Sequence, residues 1–372
     1  MRLTLAYLAL VTALVVPFSL QPARAAKPIV EVAFVLDTTG SMSGLIENAK
    51  RKIWSIATAI VDANPDAEVR MALVAYRDIG DEYVTKKFDL TVDIQGLYAE
   101  LLKFRAQGGG DWPESVNEAL DVAVTKLNWT QDSGVRKIVF LVGDAPPHMD
   151  YKQDRKYSEV VKDARARGII VNAVQAGPAR DTERFWREIA QLGDGKYIQI
   201  PQDGGVAVII KTPYDREILE LQIRLNRTVL PYGKRAQQEN VRQRLDNVAS
   251  APVSTATDIA VYRNKSKNSG VVSADGDLVA DVESGRVKLE AVPDAELPET
   301  LQKLPPAARK VEVEKQNAER KAIDEKLAQL VKERDAYVAA ERKKNAPAAK
   351  KDSFDQVVEE TLRMQIRPAP VN

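Results

Sequence analysis

Two apolar runs, each ending directly on an aspartate, set the strongest limit on what this chain can fold into. Ile29-Val-Glu-Val-Ala-Phe-Val-Leu36 runs into Asp37, and Lys137-Ile-Val-Phe-Leu-Val-Gly143 runs into Asp144. Near-continuous apolar stretches of this length read as strands buried in a sheet. Residues 69–76 and 169–174 give two more such strands, 196–200 another, and 83–91 alternates in the manner of an edge hairpin partner. Helical patterns fall between them, over 44–64, 94–105, 115–127, 157–167 and 182–192, the first with Leu45, Ile46, Ala49, Ile53, Ile56, Ala57 and Ile60 on one apolar face. Strands alternating with helices predict an α/β fold with a doubly wound, mostly parallel sheet.

The turn after the first strand carries chemistry. In Asp37-Thr-Thr-Gly-Ser41, the alternate residues Asp37, Thr39 and Ser41 offer one carboxylate and two hydroxyls that can converge on a point. Hard oxygens without imidazole or thiolate suit Mg²⁺, Mn²⁺ or Ca²⁺ rather than zinc. Between the two aspartate-tipped strands lies Gly108-Gly-Gly-Asp111-Trp-Pro-Glu114, a glycine-rich turn opening the next helix. In an open α/β sheet, ligands bind beyond the carboxyl ends of strands where the strand order reverses. Two acidic strand ends and an acidic loop meet the needs of a metal site there.

With these three motifs in order, residues 27–213 resemble the von Willebrand factor type A domain family, in a bacterial secreted subgroup with a GGGD second loop. The resemblance implies six strands with one short antiparallel edge. It also implies a metal-ion-dependent adhesion site in which Asp37, Thr39 and Ser41 match the first turn and Asp144 the third-loop aspartate. Asp111 stands where the family usually has threonine and is read as the second-loop ligand, with Glu114 or Ser115 as the alternative. In the family, an incomplete protein shell leaves the metal a last ligand from a partner's carboxylate. A third acidic ligand alters that balance, because each charge pair ~5 Å apart is worth about 3 kcal/mol at an effective dielectric near 20. The metal is held more tightly and pulls less on a partner's acid.

At 372 residues the chain has room for more than this one domain. Residues 1–25 read as a cleavable signal peptide: Arg2, an apolar run from Leu3 to Leu20, then Ala23-Arg24-Ala25 as the small-residue cleavage site. No later stretch is apolar enough to cross a bilayer. The expected location is periplasmic or secreted, and with no cysteine there is neither a lipid-modified Cys nor a disulfide. Removing Arg2 and Arg24 takes the formal charge from +1 to −1, a balance that gives nucleic acid no basic face to bind.

Beyond residue 213 the text changes. Residues 214–305 read as a mixed helical and irregular extension, with helices over 214–227, 234–248 and 255–268, then strands and loops over 270–305. Residues 306–366 read as C-terminal helices. The first, over 307–344, is a long helix or helical hairpin packed on one partner through Val311, Ala318, Ala322, Ile323, Leu327, Leu330, Tyr337 and Val338. A linker over 345–351 leads to Ser353-Phe-Asp-Gln356, a capping box opening the last helix, and 367–372 form a tail.

His148, the only histidine, reads as an exposed loop residue or as part of the metal site's rim. No nucleophile elbow or cysteine accompanies it. The expected function is therefore a divalent-metal-binding module for protein–protein interaction or scaffolding. Its partner is an envelope or extracellular protein, engaged through an acidic side chain. The alternative is a metal-dependent hydrolase or enzyme subunit of the cell envelope.

Overall fold

β1 (Ile29–Asp37) is buried along almost its whole length because it runs through the middle of the sheet. The computed structural model describes residues 27–205, 209–266, 270–273, 275–345 and 353–366. The signal-peptide reading of 1–25, the linker at 346–351 and the tail at 367–372 lie outside these. After β1 come α1 (Ser43–Ala63), β2 (Glu68–Tyr76), β3 (Thr85–Thr91), α2 (Ile94–Lys103), α3 (Val116–Thr125) and β4 (Arg136–Gly143). Then follow α4 (Tyr157–Ala166), β5 (Ile169–Ala176), α5 (Arg180–Leu192) and β6 (Asp194–Ile200). The strand order is β3-β2-β1-β4-β5-β6, parallel except for the antiparallel edge β3. The chain winds from β1 to one side and returns through β4 to the other. The ends of β1 and β4 thus flank the switch point where such sheets bind ligands.

Alternate residues of β1 serve opposite faces. Val30, Val32, Phe34 and Leu36 pack with α1 and α2, whereas Ala33 and Val35 pack with the helices α3, α4 and α5. The expected apolar face of α1 is buried as read, with Trp54 added to it.

Beyond β6 the main elements among the described residues are helices: α6 (Asp215–Arg227), α7 (Arg235–Ala249), α8 (Val253–Lys265), α9 (Leu278–Glu283), α10 (Glu299–Gln302), α11 (Pro306–Asn345) and α12 (Phe354–Ile366). Residues 270–305, read as strands and loops, instead hold α9, α10 and two short 3₁₀ turns; Pro231 and Asp277 make an isolated bridge there. Their apolar residues Leu278, Val279, Leu297 and Leu301 gather with Val313 into a small core of their own. The long segment is one 40-residue helix. It lies on α6, α8 and α9 rather than on one partner, burying Ile323, Leu327, Leu330 and Val331. Val311, placed on the apolar side, is exposed, because in that turn of the helix it is Val313 that faces the neighbouring core.

α12 departs most from the linear reading. It returns to the sheet and packs along α1, placing Phe354, Val357, Val358, Leu362 and Ile366 in the same core as β1. α8 joins this face as well, with Tyr262 5.5 Å from Trp54 between ring centres. The capping box does not form. Ser353 Oγ and Gln356 Oε1 find no hydrogen-bond partner among the described residues. The helix start is pinned by tertiary contacts instead, Phe354 N donating to Gly204 O at 2.9 Å and Lys52 pairing with Asp355 at 3.2 Å.

Candidate metal centre

Three loops meet at the switch point, and backbone hydrogen bonds lock them together. Thr38 N donates to Tyr76 O at 2.9 Å, Gln107 N to Thr38 O at 3.1 Å, and Gly40 N to Gly108 O at 3.1 Å. The second and third loops are joined by Glu114 N donating to Pro146 O at 2.9 Å and His148 N to Glu114 O at 3.1 Å. Two glycines make the approach possible. A methyl group at Gly109, where φ is +84°, would stand 3.1 Å from Glu114 Oε1, and one at Gly143 would strike the Tyr76 hydroxyl.

The turn after β1 is held by its own aspartate. Asp37 Oδ1 accepts from Thr39 N at 2.8 Å and from Thr39 Oγ1 at 2.7 Å, and Ser41 Oγ lies 3.4 Å from Thr39 Oγ1. Asp144 Oδ2 accepts from Gln202 Nε2 at 2.6 Å. The other oxygens, Asp37 Oδ2 and Asp144 Oδ1, are buried and accept nothing from the described residues, and neither does Glu114 Oε2. Asp37, Asp144 and Glu114 are 0%, 3% and 3% exposed. Thr39, Ser41, Gly109, Asp111, Trp112, Glu114 and Asp144 line a cleft of about 150 Å³, with no lysine or arginine among its described lining residues.

This crowding shifts the acids. Burial, followed by the charge of Asp144, raises Asp37 to about 7. Burial raises Glu114 to about 9, with Asp37, Asp78, Asp81 and Asp144 adding to it. Buried polar atoms normally find partners, and unpaired buried charge is expensive. Three unpartnered carboxylate oxygens beside two hydroxyls are a donor set for a hard divalent cation.

Of the residues expected to bind metal, Asp37, Thr39, Ser41 and Asp144 come together. Asp111 sits on the cleft rim with its side chain 61% exposed, and its Oδ1 is 3.6 Å from His148 Nε2. The second-loop carboxylate that feels Asp37 and Asp144 is Glu114, the alternative reading. Ser115 is turned away, its hydroxyl donating to Asp78 Oδ1 at 2.7 Å. Gln202, beyond β6, was not foreseen, because no local pattern announces a residue that only the sheet brings near. His148 is not an exposed loop residue. It is 5% exposed, stacked on Tyr151 at 3.9 Å and tied by its backbone to Glu114.

The sheet order and the acid-tipped switch point define an α/β domain with a cation-type cleft at its ligand-binding edge. Residues 31–212 match the family model of the von Willebrand factor A domain, and this part of the chain is such a domain. A putative ariadne-like RING finger protein of Acanthamoeba polyphaga mimivirus is 25% identical over 192 residues, 46% of this chain and 18% of the relative. The von Willebrand factor A domain-containing protein 7 of Rattus norvegicus is 31% identical over 164 residues, 43% of this chain and 16% of the relative. The chain thus spans less than a fifth of the length of both. Among solved structures, proximal thread matrix protein 1 from the mussel byssus, described with a zinc-occupied MIDAS motif, is 18% identical with a TM-score of 0.37. That match covers 48% of this chain and 43% of the other. The SpRpn10 VWA domain is 12% identical with a TM-score of 0.36, over 48% of this chain and 89% of that one.

Proposed function

We propose that this protein is a divalent-metal-binding interaction module of the cell envelope or its exterior. In this reading Asp37, Thr39, Ser41, Glu114 and Asp144 hold a hard cation, Mg²⁺ first and Mn²⁺ or Ca²⁺ next. The observation that carries it is the set of three buried, unpartnered carboxylate oxygens beside two hydroxyls. When bound, the ion supplies a positive centre that can take an oxygen ligand from a partner. With three carboxylates at the cleft, the protein's own charge dominates the ion, so partner capture rests on the surrounding surface as well as on an acidic side chain. Trp112, 46% exposed at the cleft mouth, is placed for such contact. The envelope setting follows from the signal-like sequence of residues 1–25. We assign the cleft binding rather than turnover, since its buried acids, Asp37, Glu114 and Asp144, are themselves the proposed ligands.

Calorimetric titration with Mg²⁺, followed by pull-down from an envelope extract with Mg²⁺ and with EDTA, tests the proposal. Binding of the ion by wild type but not by Asp37→Ala, with a partner captured only in Mg²⁺, is the expected result. Absence of Mg²⁺, Mn²⁺ and Ca²⁺ binding at millimolar ion overturns the site. Metal-dependent hydrolysis of generic phosphate or ester substrates, on the order of 1 s⁻¹ or more and lost in Asp37→Ala, overturns the assignment as a binding module.

A further inference from the structure

Beside the all-oxygen cleft lies a second group of different chemistry. His148 Nε2 stands 3.4 Å from Asp78 Oδ2 and 3.6 Å from Asp111 Oδ1, and one ligand atom from each of the three residues falls within 4.8 Å of the others. We propose that His148, Asp78 and Asp111 form a second metal site, for a zinc-type ion, distinct from the hard-cation cleft of Asp37 and Asp144.

Acidic residues near one another are not a site, but the histidine here is specific. His148 Nε2 is buried, in a side chain 5% exposed, and makes no hydrogen bond to the described residues. The other ring nitrogen, Nδ1, is 2.8 Å from Asp150 Oδ1. A carboxylate on Nδ1 places the proton there and leaves the Nε2 lone pair free, which is how metal-binding histidines are commonly oriented. Tyr151 stacks on the ring at 3.9 Å with 8° between planes, and its hydroxyl donates to Asp78 Oδ2 at 2.8 Å. Ser115 Oγ donates to Asp78 Oδ1. Both buried ligands are therefore fixed in place by neighbours that are not ligands themselves.

The spacing suits a small tetrahedral ion. With ligands at about 2.0–2.1 Å, a tetrahedral centre sets neighbouring ligand atoms about 3.3–3.4 Å apart. The separations from His148 Nε2 to the two aspartates are 3.4 and 3.6 Å. The remaining adjustment falls on Asp111, on the glycine-rich loop, whose side chain is 61% exposed. An imidazole nitrogen with two carboxylates selects zinc or a neighbouring transition ion over Mg²⁺. Three protein ligands leave one position open, so the ion can hold water or a group from a partner at the cleft rim.

The test is a Zn²⁺ titration of the full chain in excess millimolar Mg²⁺, read by calorimetry and by metal analysis after dialysis. We expect one Zn²⁺ per chain, at least tenfold weaker in Asp111→Asn and in His148→Gln, and still bound by Asp37→Ala. Asp150→Asn should weaken Zn²⁺ by about 10–100-fold while leaving Mg²⁺ binding unchanged. Asp111→Asn lies on an exposed loop, so its result does not hinge on folding. Unchanged Zn²⁺ affinity in both Asp111→Asn and His148→Gln overturns the site, as does loss of all Zn²⁺ in a folded Asp37→Ala. A wild type that binds no Zn²⁺ also overturns it, and the histidine is then a proton-bearing partner of its aspartates. Failure of the hard-cation cleft is read separately, from the Mg²⁺ titration.

Discussion

Phe354 packs edge-on against Phe34, ring centres 6.3 Å apart, so the last described helix closes the core around the first strand. Phe34 also stacks on Phe140 of β4 at 5.5 Å, which places the contact under the two strands that end at the cleft.

This relationship predicts that residues 27–213 alone do not make a stable domain. Without α12, the face formed by Phe34, Leu36, Ala49 and Ile53 loses its cover of Phe354, Val357, Val358 and Leu362. A chain ending at residue 213 should aggregate or melt without a cooperative transition in calorimetry. Phe354→Ala in the full chain should cost about 3–5 kcal/mol, within the range for truncating a buried phenylalanine, as measured by denaturant unfolding. A cooperative, soluble 27–213 fragment contradicts the assignment of α12 to this core.

Metal should act as a ligand of the native state only. At 100-fold excess over Kd it adds about 2.7 kcal/mol to stability, seen as a rise in Tm. Asp37→Ala and Glu114→Gln should each remove most of that increment for Mg²⁺. Asp111→Asn should leave it largely intact, because Asp111 faces His148 rather than Asp37. The reverse pattern, with Asp111→Asn losing Mg²⁺ and Glu114→Gln keeping it, returns the second-loop role to Asp111.

The buried acids also predict a pH dependence for the metal-free protein. Asp37 is raised from 3.8 to about 7 and Glu114 from 4.5 to about 9. An acid raised on folding binds more protons in the native state, so its contribution is complete below the unfolded value and is lost as pH rises through the folded one. In EDTA, Tm should fall as pH rises from about 5 through about 9. Asp37→Asn should flatten the lower part of that decline. Saturating Mg²⁺ favours the ionised acids and should offset it. A metal-free Tm that climbs over this range would falsify the protonation account.

Arg320 fastens α11 to the start of α9. Its guanidinium donates to both oxygens of Asp277, at 2.8 and 3.2 Å, and to the hydroxyl and carbonyl of Thr228, each at 3.1 Å. The side chains are 8% and 3% exposed. Arg320→Met strands the buried Asp277 charge and should destabilise by about 3–5 kcal/mol in urea unfolding. Adding Asp277→Asn should recover part of the loss. A double mutant no better than the single one argues that packing, not charge, sets the cost.

Much of the sheet was legible because its signals are local. The buried runs of β1 and β4 need only apolar residues in sequence, and the aspartates at their ends follow directly. The same holds for Asp37, Thr39 and Ser41, which one tight turn brings together. Glu114 could be named but not chosen over Asp111. Both stand in the same glycine-rich loop, and only the pairing of Glu114 with the Pro146–Pro147 stretch turns its carboxylate inward. His148 carried no burial signal either, since the Tyr151 stack and the Glu114 carbonyl that enclose it belong to a folded loop pair.

The sequence by itself determined the strands, their acidic ends, the α/β class and the hard-oxygen turn, because each depends on residues within a few positions of one another. Tertiary structure alone decided that α12 returns to cover β1, that Gln202 reaches Asp144, and that Asp78, Asp111 and His148 converge. Those contacts join segments far apart in the chain. They exist only once the burial of the sheet's two faces offsets the entropy of closing the long loops between them.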